Sequence, residues 1–428
     1  MASPVLQVAL DLLEPDRAVE IAHEAVNGGA DWIEAGTPLI KSAGMDIVRR
    51  LKAEFPNHVI VADMKIADTG GIEVEMAAKA GAGVVCILAE ADDAVIAEAV
   101  RAAELYGVRL MGDLLNTAEP VQRAKELEAL GVHIINAHVG IDQQMTGKDS
   151  LTLLEEIAGS VSVPLGAAGG LTAETAGASV RAGASILLVG SSIIKAADVT
   201  EATANVRKAI DDPSVAPLVR QSQEEEIRSI FTSVSTPNIS DAMLRKGAMH
   251  SLISINPGRK MVGKALPVRT LAGDFAKPVE AIDIASEGDV LVINNERATH
   301  VAPWGELATR SCLNRGIAGI VIDGAVRDVD DIRELPIPLF ATAIVPNAGE
   351  PKGFGEIGAE ISCCGQQVRQ GDWIIGDDSG VVVVPKERAY EIARRSFEVQ
   401  KTEVRIREEI RRGKTLPEVT ELLKWEKK

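Results

Sequence analysis

Cysteine is scarce: Cys86, Cys312, Cys363 and Cys364 are the only four in 428 residues, and no two have Cys-x-x-Cys spacing. Neighbours such as Cys363 and Cys364 seldom bridge or share one metal ion, so neither a disulfide framework nor a thiolate metal site is expected. A reduced cytoplasm is the expected compartment. Basic charge is scarce in the first half. Residues 1–212 carry 16 Lys and Arg against 31 Asp and Glu, while the rest carries 29 against 31. Non-specific binding to nucleic acid depends on Lys and Arg displacing counterions from phosphate, so no nucleic-acid ligand is expected. No run approaches the roughly 20 apolar residues that span a bilayer, and no membrane partner is expected. The start, Met1-Ala2-Ser3-Pro4 followed by an apolar run broken at Gln7 and closed at Asp11, lacks the basic region and apolar length of a signal peptide. What is present, 46% apolar and 25% charged residues, is the composition of a globular chain. Its length suits two or three domains with cores of their own.

Up to about residue 210 one theme repeats: a short apolar run, a polar or glycine-bearing turn, then a helical pattern. The runs are Val5–Leu10, Trp32–Ala35, Val59–Ala62, Val84–Leu88, Arg109–Met111, His133–Asn136, Ser162–Gly166 and Ile186–Val189. Their spacing, about 20–30 residues, matches a strand plus a crossover helix, and 92–105 and 120–130 carry the 3.6-residue period of amphipathic helices. Eight such units predict a (β/α)8 TIM barrel. A doubly wound open sheet also alternates strand and helix, but it would not gather all eight strand ends at one site. Asp11, Glu34, Asp63, Asp113, His138, Gly169 and Gly190 stand at or just past the ends of runs. In a barrel those ends share one face. Asp211-Asp212-Pro213 and the polar stretch that follows mark a change of texture to short β-rich runs with glycine turns. The expected division is a barrel over 1–212, a linker over 213–228, a smaller α/β domain over 229–390 and a C-terminal helical arm over 391–428.

The sharpest local pattern is Asp63-Met64-Lys65-Ile66-Ala67-Asp68 after the buried run Val59–Ala62. Residues two apart on a strand share a face, so Asp63 and Lys65 project together and Asp68 follows on the loop. An isolated pattern of this kind is equally a surface ion pair. Glu34 adds a second carboxylate on the same rim, which suits a Mg²⁺ ion that keeps waters for a substrate to replace. Asp11 adds an acceptor for sugar hydroxyls, and His138 a general acid/base candidate. Gly169 and Gly170 after the seventh run, with Gly190 and Ser191 after the eighth, fall where barrels bind phosphate through backbone N–H groups. A Schiff base at Lys65 is the competing chemistry. The carboxylates beside it favour the ammonium and oppose an amine nucleophile.

Leu6–Asp11, Trp32–Lys41, Ala62–Gly70, His138-Val139-Gly140-Ile141-Asp142 and Ala168–Leu171 resemble 3-hexulose-6-phosphate synthase of the orotidine-phosphate decarboxylase superfamily. The resemblance covers the first half. It implies a Mg²⁺- (or Mn²⁺-) dependent aldol reaction joining formaldehyde to ribulose 5-phosphate, or the reverse cleavage. It also implies metal binding by Glu34 and Asp63, enediolate stabilisation by Lys65, acid/base work by His138, and a role for Asp68 across a dimer interface. The related 3-keto-L-gulonate-6-phosphate decarboxylases are the alternative. Their arginine shortly after the histidine is absent here, where Val139, Gly140 and Ile141 follow. The pattern also departs from many bacterial synthases, which carry Thr-Met at the positions of Ile66-Ala67.

In the second half, Ile239–Ala242, Pro303–Ala308, Val321–Asp328 and Asp377–Val381 resemble the family of the regulator of ribonuclease E activity A, which includes 4-hydroxy-4-methyl-2-oxoglutarate aldolases. That resemblance implies a pocket of Arg327, metal-binding Asp328 and Asp331, completed by backbone near Gly305, Glu306 and Leu307. Two readings stand side by side: a second metal-assisted lyase of 2-oxo acids, and a non-catalytic binding or assembly module. The two resemblances together imply a barrel dimer joined to a trimer-forming domain, hence a larger homo-oligomer. The fusion is similar to an archaeal arrangement in which cleavage supplies ribulose 5-phosphate.

Overall fold

The computed structural model describes residues 3–213 and 222–420. The chain forms two compact units, Met1–Arg220 with Lys401–Lys428, and Gln221–Gln400. In the first unit eight parallel strands close into a barrel: β1 (Val5–Leu10), β2 (Trp32–Ala35), β3 (Val59–Ile66), β4 (Val84–Leu88), β5 (Arg109–Asp113), β6 (Ile134–His138), β7 (Leu165–Ala168) and β8 (Ile186–Val189), with β8 pairing back onto β1. A helix follows each strand, as the 3.6-residue pattern predicts. Examples are Asp93–Tyr106, capped by the Asp92 side chain on the Ala94 N–H, and Pro120–Ala129, which opens on the fixed φ of proline. Val61, Val84, Cys86, Met111, Ile134, Ile186 and Leu188 form a cluster inside the barrel, separate from the larger core between strands and helices. The cylinder is therefore filled, and only its mouth is left for chemistry. Strands 5 and 6 reach further toward the mouth than the expected runs, to Asp113 and His138.

The second unit is built on a mixed sheet. It contains β9 (Ile253–Ser254), β10 (Met261–Arg269), β11 (Asp289–Asn294), β12 (Gly319–Val326), β13 (Leu339–Ile344), β14 (Glu356–Ile357), β17 (Trp373–Asp377) and β18 (Gly380–Val384), while β15 (Ile361–Cys363) and β16 (Gln366–Val368) form a hairpin. The order is β18-β17-β10-β11-β12-β13-β9, with β10 to β13 parallel and the outer strands antiparallel. Among the described residues no helix is long and apolar enough to cross a membrane.

The expected boundaries need adjustment. Of the expected linker, 214–221 lies outside the described residues, and the helix Gln223–Ser233 takes up most of the remainder. The expected arm does not begin at 391. Its helix spans Ala389–Arg411, and from Lys401 onward the chain groups with the first unit; 421–428 lies outside the described residues. The reason is a charged seam. Arg405, 2% exposed, pairs with Glu409 at 3.0 Å and Glu24 at 3.3 Å, while Arg17 reaches Glu409 at 2.7 Å and Lys414 reaches Glu20 at 2.8 Å. Glu20 and Glu24 lie on the helix Pro15–Asn27 that follows β1. Removing one member of a buried ion cluster strands its partners, at a cost of about 3–5 kcal/mol. Arg405→Ala is therefore expected to lower the urea midpoint for unfolding of the barrel by that equivalent. A midpoint within about 0.5 kcal/mol of wild type would show the seam to be a surface decoration.

Candidate active site

Strand alternation decides what reaches the mouth. Along one face β3 runs Val59, Val61, Asp63; β5 runs Met111, Asp113; β6 runs Ile134, Asn136, His138; β2 runs Trp32, Glu34; and β1 carries Gln7, with Asp11 just beyond it. Each face is apolar deep in the barrel and polar at the rim. Glu34, Asp63 and Asp113 are only 5%, 7% and 2% exposed.

The register of β3 against β4 shifts between Ala62 and Ile66, and Lys65 adopts φ 51°. A bulge, not plain alternation, thus brings the heads of Asp63 and Lys65 together. A non-glycine residue in this region costs about 1–3 kcal/mol, and here the strain coincides with three contacts. The Lys65 Nζ donates to both oxygens of Asp63 at 2.8 Å and to Asp113 Oδ2 at 2.9 Å. Asp113 in turn lies 2.9 Å and 3.0 Å from His138 Nδ1. Its acceptance of the Nδ1 proton leaves Nε2 directed to other partners. Thr37 Oγ1 stands 2.8 Å from Asp63 Oδ2, and Gln7 Nε2 donates to Glu34 Oε2.

These contacts sort the acids into two kinds. Burial pushes Asp113 up, but the His138 imidazole and the Lys65 ammonium outweigh it and hold the carboxyl below its usual range. Burial would weaken the Lys65 ammonium, yet Asp63 and Asp113 hold its proton more firmly than in water. For Glu34, burial and then the neighbouring Asp63 and Asp11 charges raise the pKa well above that of an ordinary carboxylate. Asp11 is raised by burial and by Asp63. Glu34 has the carboxylates of Asp63 and Asp11 for neighbours, and beside it Gln7 Oε1 is buried with no hydrogen-bond partner among the described residues. Hard donors of this kind fit Mg²⁺ or Mn²⁺. Among the described residues no three of these carboxylates gather their oxygens within 4.8 Å. A Mg²⁺ that keeps several waters needs only one or two.

The loops after β7 and β8 lie side by side, joined by Ser192 Oγ donating to Leu171 O at 2.7 Å. Gly169 and Gly170 have φ 110° and 69°, and a Cβ at Gly169 would meet Val139 O at 2.2 Å. Glycine is needed there. Gly190 and Ser191 open the short helix Ser191–Ile194, and Gly190 passes close to Asp11. Asp68 lies apart, exposed on its loop and accepting the Thr69 N–H at 2.7 Å. Sequence reasoning placed Asp113 on the rim but gave it no role, and it missed Gln7 and Thr37. The available signal was the parity of Asp113 with Met111 and of Gln7 with Val5.

In the second unit the structure brings Gly305, Glu306, Arg327 and Asp328 together. Arg327 Nε is 3.3 Å from Asp328 Oδ2, the Glu306 N–H points to the same oxygen at 3.4 Å, and a Cβ at Gly305 would meet it at 2.5 Å. Leu307, 77% exposed, and Asp331, exposed on the helix Val329–Glu334, face solvent.

Fold and rim together define a (β/α)8 barrel whose mouth gathers acids, one lysine and one histidine. Residues 4–206 match the model of the orotidine 5′-phosphate decarboxylase / HUMPS family, and residues 236–383 match that of the RraA-like (Aldolase/RraA) family. The chain is 38% identical over 205 residues to the 3-hexulose-6-phosphate synthase of Mycobacterium gastri, covering 48% of this chain and 99% of that protein. It is 38% identical over 201 residues to the synthase of Methylomonas aminofaciens, covering 47% and 96%. A structure of the RNA-processing inhibitor RraA from Thermus thermophilis is 26% identical with a TM-score of 0.34, covering 36% of this chain and 93% of that one. The chain belongs to the orotidine 5′-phosphate decarboxylase / HUMPS family through its barrel, among relatives that are 3-hexulose-6-phosphate synthases, and carries a C-terminal RraA-like domain.

A group whose folded pKa is raised contributes stability that is present below its ordinary pKa and lost as pH rises through the raised value. At neutral pH an ionised Glu34 therefore destabilises the metal-free fold. Glu34→Gln keeps an oxygen for the Gln7 N–H and removes the charge. It is expected to raise the Tm of chelator-treated protein at neutral pH, and by less at a pH below the ordinary carboxylate range. A lower Tm would mean that the Glu34 charge is already compensated inside the barrel.

Proposed function

We propose that the barrel joins formaldehyde to ribulose 5-phosphate by aldol condensation to 3-hexulose 6-phosphate, and catalyses the reverse cleavage. The observation that carries this reading is the Lys65 ammonium held between Asp63 and Asp113, with His138 on the far side of Asp113. Removing a proton from C1 of a ketose phosphate creates an enediolate, whose charge needs cations already in position. Lys65 offers its fixed ammonium to that oxyanion. His138 takes the C1 proton at Nε2, the C1 carbon forms its new bond to the formaldehyde carbon, and His138 returns the proton to the resulting alkoxide. Asp113 keeps the imidazole in the tautomer this requires. Gly169, Gly170, Gly190 and Ser191 receive the phosphate through backbone N–H groups, and Asp11 accepts from a sugar hydroxyl. Glu34 and Asp63 would hold Mg²⁺ or Mn²⁺, which would supply Lewis-acid stabilisation of negative charge there.

Asp68 reaches a neighbouring barrel in this reading. The exposed apolar residues Ile72, Met76 and Leu105 on the helices Gly70–Lys79 and Asp93–Tyr106 support a barrel dimer, in a homo-oligomeric cytoplasmic protein. For the second unit, the Arg327–Asp328 pair beside Gly305 and Glu306 supports metal-assisted chemistry on a 2-oxo acid. Oxaloacetate decarboxylation by the full chain, lost in Asp328→Asn, is the expected result. Equal rates with and without the variant would leave a binding or assembly role for this unit.

Mixing formaldehyde and ribulose 5-phosphate with wild type, Glu34→Gln and Asp63→Asn tests the barrel. Both variants are expected to lose activity while remaining folded, and His138→Gln to fall by about 10²–10⁴-fold. Wild-type activity should vanish with a chelator and leave no borohydride-trapped adduct at Lys65. Full activity in either carboxylate variant would remove that residue from the mechanism.

A further inference from the structure

Asp323, Cys363 and Cys364 lie in the second unit and take part in none of the chemistry above. Asp323 sits on β12, and the two cysteines lie at the turn of the β15–β16 hairpin. A carboxylate oxygen of Asp323 and the two sulfurs all lie within 4.8 Å of one another, and all three residues are buried. One oxygen of Asp323 is committed: Oδ2 accepts the Cys364 N–H at 2.9 Å and has Arg297 Nε at 3.5 Å. The other, Oδ1, is buried and has no hydrogen-bond partner among the described residues, Asp323 being only 3% exposed. A buried carboxylate oxygen without a partner is costly.

The turn adds a second observation. Cys363 pairs with Gln366, so the two central residues are Cys364 and Gly365, at φ 48° and 84°. Two left-handed central residues define a type I′ turn, whose first central position favours Asn, Asp or Gly. A cysteine there is strained. Adjacent cysteines in a regular strand point to opposite faces, and the left-handed backbone at Cys364 removes that obstacle to a shared ligand.

We propose that Asp323, Cys363 and Cys364 bind one divalent cation of borderline softness, with zinc as the fitting ion. Tetrahedral bonds of about 2.3 Å to sulfur and about 2.0–2.2 Å to oxygen hold ligand atoms less than 4.8 Å apart, the bound within which these three already lie. Each thiol releases its proton to solvent as its sulfur binds, and no oxidation is involved. The charges balance: two thiolates and a carboxylate face a dication and the Arg297 guanidinium. The donors also set the selectivity. Thiolates disfavour Mg²⁺, so this site and the carboxylates at the barrel rim would take different ions from one solution.

The test uses the reduced, metal-stripped full chain with Co²⁺ as a spectroscopic probe. Wild type is expected to show a sulfur-to-cobalt charge-transfer band that Zn²⁺ abolishes and Mg²⁺ does not. Cys363→Ala/Cys364→Ala should lose the band, and Cys86→Ser should keep it. Asp323→Asn preserves an acceptor for the Cys364 N–H and should weaken Co²⁺ binding at least about tenfold, since even outer partners of metal ligands are worth that much. Should the double variant fail to fold, titrating zinc-loaded wild type with an organomercurial should release zinc in step with thiol modification. A wild-type cobalt spectrum without the sulfur band, a band that survives the double variant, or no zinc released by the mercurial would each overturn the proposal.

Discussion

A single ammonium held between two buried carboxylates organises the mouth of the barrel. Each of these three charges, taken alone out of water, would cost several kcal/mol. Together they satisfy one another: Lys65 reaches both oxygens of Asp63 and one of Asp113, and Asp113 uses its remaining capacity on His138. The arrangement fixes more than a lysine rotamer. It fixes which acids stay charged, because the paired Asp113 is held below its usual range while Glu34 and Asp11, which have carboxylates for neighbours, are pushed above theirs. A cation arriving beside Glu34 and Asp11 would therefore restore charge that the rim alone disfavours, close to the loop that ends β8.

That separation follows from where strand geometry is kept and where it is broken. Regular alternation carries Val61, Met111 and Ile134 into the filled barrel and Asp63, Asp113 and His138 to its rim. Alternation alone would leave Lys65 at strand spacing from Asp63. The register shift before Ile66 and the left-handed backbone at Lys65 fold the ammonium back onto its neighbour. A regular scaffold thus holds one irregular residue, and the irregular residue bears the charge that the proposed chemistry needs.

The legible part of the sequence was the part governed by periodicity. Fully buried runs such as Ile186–Val189 announce parallel strands, and alanine-rich amphipathic stretches announce the helices between them. The rim was legible wherever a charged residue closed an apolar run, as at Glu34 and Asp63. It was less legible where polarity begins inside a strand. Gln7 reads as an interruption of β1, yet its parity with Val5 turns it to the barrel interior and onto Glu34. Asp113 ends a strand whose sequence signal fades at Met111, and its two partners lie 48 and 25 residues away. No local pattern encodes such a contact. The C-terminal arm reads as a helix, but its seam with Glu20 and Glu24 joins residues nearly 400 positions apart, and charge patterning cannot name partners at that distance.

The same reasoning explains why Asp323 was invisible as a ligand. In sequence it is one acid inside the apolar run Gly319–Val326, where a structural role for a carboxylate accepting a backbone N–H is the ordinary expectation. Only the fold shows that one of its two oxygens has that role and the other has none. The two units then present donor sets of opposite character, oxygen at the barrel mouth and mixed sulfur and oxygen beneath the β15–β16 hairpin. Affinity for divalent ions rises along the transition series for almost any donor set, so selectivity rests on donor type and geometry. In the first unit the Cys86 thiol lies beneath the carboxylate rim, where burial and the Asp63 and Glu34 charges raise its pKa and so keep it a neutral thiol, a poor ligand, leaving the rim to hard ions.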